Sequence, residues 1–251
     1  MVCLMAEIGW VIYDEAGLGA NQCREWSRLN GFEEDQIFVF NNFVGRMSQH
    51  ESAGDNTAFE FSGYALALDK MQGQGPFVLI NDTLFRHHWK PGWAYLLRGL
   101  LNDPWLRSTS GRIVGDLRSE SFEFPEKPAT YWASWIFVMS DRIALQRMRT
   151  ALERVIREDW SKPSQAYFDY LDQWLNKSWW QGGWQGNPSP AALQRKTLSI
   201  RREHELSRIL LNEQALTPYA VGHHQKFLYR VTRLIDRMLA RYAAIRRNLH
   251  G

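Results

Sequence analysis

The chain has 251 residues, a formal net charge of +3, 45% hydrophobic residues and 23% charged ones. That balance excludes a disordered or collagen-like chain and fits a globular one. No run of about 18 apolar residues exists, which excludes a membrane-spanning helix on sequence grounds.

The length allows one large domain, or one domain with a helical appendage. Cys3 and Cys23 form neither a metal spacing nor a disulfide framework, so a reducing cytosol is the default expectation. Residues 1–7 lack a positive segment followed by a long apolar one, and no signal peptide is expected. Between Arg195 and Gly251 there are twelve Lys/Arg against four Asp/Glu, so the basic excess is concentrated at the C-terminal end. Twelve tryptophans and thirteen phenylalanines are many for this length; some must be core, and indole faces also suit carbohydrate.

Residues 8–13 read as a first strand, ending at Asp14-Glu15. Gly17-Leu18-Gly19 is a turn and not a dinucleotide fingerprint, because Gln22 stands where G-x-G-x-x-G needs glycine. Asn21 suits the cap of a helix running through Trp26 to Leu29, and Asn30-Gly31 stops it. Residues 36–40 read as a second buried strand ending in Asn41-Asn42. From Asn56 to Met71 the apolar residues recur at helical spacing, and Gly73-Gln74-Gly75-Pro76 breaks the run. Residues 77–80 form an unbroken apolar stretch, as a strand buried on both faces requires, and Asn81-Asp82-Thr83 follows it directly.

The order strand–helix–strand–helix–strand predicts a mostly parallel sheet with right-handed crossovers. In such sheets ligands bind at the carboxyl ends of the strands, which places Asp82 where chemistry happens. Asp82 also suits a plain N-cap for the next segment. His87-His88 has no third ligand at a standard zinc spacing and reads as a rim or surface pair.

Further on, residues 91–101 suit a helix. Residues 112–117 read as a strand with Arg118 just beyond, and residues 130–139 as a strand running into a Ser140-Asp141 cap. Trp132 and Trp135 lie three apart, so on a strand they face opposite ways. Everything after Arg142 reads as helical: 142–156, 165–175, 196–211, and a basic amphipathic stretch from His223 to His250. In 142–156 the apolar stripe is Ile143, Leu145, Met148, Leu152 and Val155. The Trp/Gly/Pro-rich stretch 178–190, which includes Trp184, reads as a loop and suits a lid over a site or indoles tucked onto the sheet. Glu205 pairs with Arg201 or Arg208 on the simplest account.

The helix–strand–acidic triplet unit over 54–85 resembles the centre of a nucleotide-sugar glycosyltransferase of the GT-A type. In that family the triplet is usually Asp-x-Asp and holds a divalent metal on the donor diphosphate. Asn81-Asp82-Thr83 is closer to the NDT/NDS form of some bacterial polysaccharide transferases, and it keeps one carboxylate of the usual two. The stretch 130–140 and the basic helix 196–211 are similar to parts of the same family.

The resemblance implies a GT-A-like α/β core over 1–141, a mostly parallel sheet flanked by helices, with a helical region over 142–251. It implies Asp82 as the catalytic carboxylate and ligand of Mn²⁺ or Mg²⁺. Donor binding would fall to Tyr13, Asp14, Glu15, Asn41, Asn56, Glu60, Asn81, Thr83 and Arg118, with Arg118 matched to phosphate oxygens. The acceptor side would include Trp132, Trp135, Trp184 and Glu203.

The expected activity is sugar transfer from a nucleotide-diphosphate donor to a saccharide or lipid-linked acceptor in bacterial surface polysaccharide synthesis. It would take place in the cytoplasm or peripherally on the inner face of the plasma membrane. The basic C-terminal stretch suits an anionic membrane surface or packing on the domain. An inactive GT-A-like subunit of an assembly complex is the first alternative. A nucleic-acid-binding protein is the second and weaker one, since no recognition motif accompanies the charge.

Overall fold

The computed structural model describes residues 6–13, 19–43, 52–54, 58–84, 97–108, 110–119, 130–157, 164–175 and 190–212. Asp14, Glu15, Asn56, Trp184, His87-His88 and the stretch from His223 lie outside them, and Arg118 is described as backbone alone.

Six strands form one sheet: β1 (Glu7–Ile12), β2 (Ile37–Asn41), β3 (Ser52–Ala53), β4 (Phe77–Asn81), β5 (Ile113–Ser119) and β6 (Thr130–Met139). Their order is β3-β2-β1-β4-β6-β5. The pairs β3–β2, β2–β1 and β1–β4 are parallel, while β6 runs antiparallel to both β4 and β5. The protein is therefore α/β with a mixed, mostly parallel sheet. The helices are α1 (Gly19–Leu29), α2 (Glu60–Lys70), α3 (Pro104–Ser108), α4 (Arg142–Arg157), α5 (Gln165–Leu175) and α6 (Pro190–Asn212).

Alternation along the strands divides the interior in two. Val11, Phe40, Leu79, Trp132 and Phe137 point to one face, under α2, α4 and α6. Ile8, Trp10, Ile37, Val39, Val78, Ile80 and Trp135 point to the other, under α1 and the segment 97–106. Burying one such side chain contributes about 1.5–3 kcal/mol.

Two glycine–apolar contacts let α2 lie close on β1. A Cβ at Gly63 would stand 2.6 Å from Val11 Cγ1, and one at Gly9 would stand 2.7 Å from Ala67 Cβ. The expected boundary at 141/142 separates elements but not cores. Met148 and Leu152 of α4 and Leu206 of α6 pack in the same cluster as Tyr64 and Phe137.

Most strands and helices stand where the pattern puts them. Four details differ. Helix α2 begins at Glu60, four residues after the expected start. Helix α1 begins at Gly19, so Asn21 lies inside its first turn and does not cap it. Ile143 is exposed, and Ala144 takes its place in the buried stripe of α4. Helix α6 starts at Pro190, six residues ahead of the expected start, because proline is well suited to a first helical turn. The Asp141 cap is as expected: its Oδ1 accepts the Ala144 N–H at 2.9 Å, and both oxygens accept the Gly111 N–H.

Candidate active site

The carboxyl ends of β1, β2 and β4 lie side by side, at the edge where open α/β sheets bind ligands. At this edge Tyr13 is half exposed (49%), and its ring meets Phe43 edge-on with centroids 5.4 Å apart. Asp82 Oδ2 accepts the Tyr13 N–H at 3.2 Å, and the Asp82 N–H bonds Val11 O at 3.1 Å. Asp82 thus braces the ends of two parallel strands.

The two neighbouring asparagines shape turns. Asn81 Oδ1 accepts the Thr83 N–H at 3.1 Å, and Asn41 Oδ1 accepts the Phe43 N–H at 2.9 Å. For Thr83 the structure shows this backbone role.

Asn42 does different work. Its Nδ2 donates to the Phe59 carbonyl at 2.7 Å, and Ser62 Oγ donates to the same oxygen at 3.1 Å. Phe59 has φ 58° and ψ −138°, a conformation costly for a residue with a Cβ. The strained residue immediately precedes Glu60, the first residue of α2. Asn42 therefore fixes where Glu60 begins.

Glu60 Oε1 accepts the Ser134 hydroxyl at 3.0 Å, and the Ser199 hydroxyl approaches both carboxylate oxygens at 3.3 and 3.4 Å. Ser134 is available because β4 pairs with β6 only as far as Ile80 opposite Ile136. Past that point two backbone N–H groups of β6 turn to α6 instead. Ser207 Oγ accepts the Trp132 N–H at 2.9 Å, and Glu203 Oε1 accepts the Ser134 N–H. Positions 203 and 207 lie one helical turn apart, as the two-residue step along β6 requires.

Burial, and then the nearby Glu60 charge, push the Glu203 carboxyl up to about 7, although the Ser134 N–H and Lys196 oppose the shift. The Tyr64 hydroxyl, in the floor, donates to the Ser134 carbonyl at 2.5 Å. Burial holds this phenol well above its ordinary range, and the charges of Glu60, Asp82 and Glu203 raise it further.

Of the residues expected here, Tyr13, Asn41, Asn81, Asp82 and Thr83 meet at the strand ends, and Glu60 and Glu203 meet over Ser134. Arg118 pairs in register with Tyr131 on β5, the outermost strand of the sheet. Trp132 and Trp135 face opposite ways as expected, but both are buried, at 2% and 3%. The expectation that Trp132 and Trp135 belong to an acceptor side is corrected, because each indole fills one of the two cores. The Trp135 Nε1–H donates to Asp116 Oδ2 at 2.9 Å.

Sequence reasoning missed Ser134, Ser199, Tyr64 and Arg202. The usable signal was the stripe Lys196, Ser199, Glu203, Ser207, polar residues at helical spacing on a helix that also carries an apolar face.

Among the described residues there is no seat for a resident Mn²⁺ or Mg²⁺ ion. Such ions take several oxygen ligands. The triplet offers one carboxylate with an oxygen engaged by the Tyr13 N–H, and the Asn81 oxygen is turned to Thr83. Among the described residues no three His, Cys, Asp or Glu side chains gather as a metal site. No family model, curated protein or solved structure matches the chain.

Proposed function

We propose that the protein is a nucleotide-sugar glycosyltransferase of the GT-A type, acting on a saccharide or lipid-linked acceptor. The observation that carries this reading is the meeting of Glu60 and Glu203 over Ser134 of β6, with Asp82 at the end of the neighbouring strand β4. Glu60 and Asp82 belong to the 54–85 unit that carries the resemblance, and Glu203 to the similar helix 196–211. Tyr13, exposed at the end of β1 beside Phe43, offers the ring on which a nucleobase stacks.

In this reading Glu203 is the catalytic base. A base works best with a pKa near the working pH, and Glu203 titrates near 7. Its carboxylate takes the proton of the acceptor hydroxyl as that oxygen bonds to the anomeric carbon. The bond from that carbon to the diphosphate oxygen breaks, and the diphosphate leaves with the electron pair. Glu60 orients the site through Ser134, and its negative charge keeps Glu203 basic.

The test is a panel of nucleotide sugars, with release of nucleoside diphosphate followed with and without saccharide acceptors. One donor should turn over with the wild-type protein and at least 100-fold more slowly with Glu203→Gln, within the range a general base contributes. No turnover of any donor in the presence of acceptors would overturn the reading.

A further inference from the structure

Helix α6 presents Lys196, Ser199, Arg202 and Glu203 at steps of three and four residues, so they share the side that meets Glu60. Arg202 differs from its charged neighbours. Its guanidinium carbon lies 5.5 Å from the centroid of the Phe59 ring, the residue held in the strained conformation ahead of Glu60. Its buried Nε has no hydrogen-bond partner among the described residues. Burial disfavours its charge while Glu60 supports it, so a half-buried cation is held between Phe59 and the Glu60 carboxylate's field.

A planar guanidinium matches phosphate oxygens two at a time, and an ammonium on Lys196 adds long-range attraction. Among the described residues the triplet at the end of β4 supplies too few ligands for a resident divalent ion, which leaves the charge of a diphosphate to the cations of α6.

We propose that Arg202 is the diphosphate-binding group of this site, and that nucleoside diphosphate binding depends on this guanidinium and not on a divalent metal. The inference rests on the glycosyltransferase reading and adds to it the residue that meets the leaving group. Arg202 is the only cation of the stripe packed against Phe59 among the described residues.

The test uses the full chain, titrated calorimetrically with UDP, GDP, CDP and ADP and with the matching nucleosides, once in EDTA and once in Mn²⁺. Inorganic pyrophosphate is a further arm that separates phosphate recognition from recognition of the whole nucleotide. At least one nucleoside diphosphate should bind in EDTA. Arg202→Gln should weaken that binding at least tenfold, leave the nucleoside's own affinity unchanged and shift the melting temperature little. Arg202→Lys should restore part of the loss, and it carries the comparison if Arg202→Gln does not fold. Unchanged diphosphate affinity in either variant would overturn the proposal while leaving the glycosyltransferase reading in place. So would binding that disappears in EDTA and returns with Mn²⁺. A wild-type protein that binds no nucleoside diphosphate in either buffer would overturn both.

Discussion

Glu203 accepts the backbone N–H of Ser134 just where β6 outruns its partner β4. A strand end that would otherwise leave a donor unmet is closed by a helix carboxylate, and the same carboxylate is thereby fixed at the ligand edge. Its pKa follows from that position, because the bond and Lys196 favour the charge while burial and Glu60 oppose it more strongly.

The shift has a signed consequence for pH. A carboxyl raised from 4.5 to about 7 binds its proton more tightly in the folded state. Stability contributed by this group is therefore full below about pH 4.5, falls as pH rises through 7, and is level above. Activity runs the other way, because the base form appears over the same window. The rate with donor and acceptor should rise with a midpoint near 7, and Glu203→Gln should lose both the rate and the acid limb. Melting temperatures at pH 5 and pH 8 should differ less in Glu203→Gln than in the wild type, and an equal difference would reject the assigned titration.

Asp82 divides two roles that the sequence alone leaves together. As a brace for the Tyr13 N–H it needs only an acceptor oxygen, which asparagine keeps. Donor turnover in Asp82→Asn should stay within about threefold of wild type. Asp82→Ala should lose about tenfold, equal to about 1.4 kcal/mol of barrier. Equal, severe losses in both variants would show that the charge itself is required.

Asn42 carries the strained carbonyl of Phe59. Asn42→Ala leaves that oxygen with Ser62 alone and should cost about 1–3 kcal/mol of stability, the range for a buried polar group losing its partner. Denaturant melts give the stability, and donor kinetics should show a parallel loss because Glu60 begins the next helix. A change below about 0.5 kcal/mol would mean that Phe59 holds its conformation without Asn42.

The stretch from His223 carries six arginines from Arg230 to Arg247 beside an apolar stripe. Each basic residue near an anionic leaflet is worth about 1 kcal/mol. Full-length protein should co-sediment with vesicles containing anionic lipid and be released by salt, and Arg237→Glu with Arg241→Glu should weaken the binding. Indifference to anionic vesicles at low salt would assign the stretch to packing.

The strands 77–80, 36–40 and 8–13 were legible because unbroken apolar runs followed by Asn or Asp are a local signal, and so was the strand-end position of Asp82. Glu60 and Glu203 entered the candidate site only through the resemblance, and no local pattern of their own marks them. Ser134 was not legible at all. Its role depends on β6 inserting antiparallel between β4 and β5, and on β4 ending at Asn81, and no local pattern encodes either. Trp132 and Trp135 were misread for a related reason. A strand with a neighbour on each side and helices over both faces buries alternate indoles completely.

The most direct measurement is a crystal structure of the full chain with the nucleoside diphosphate that binds best. The expected result is the base against Tyr13, the phosphates within hydrogen-bond reach of Arg202, and Glu203 facing the open side of the phosphates. A nucleotide bound away from the carboxyl ends of β1, β2 and β4, with Glu60, Asp82 and Glu203 untouched, would contradict it.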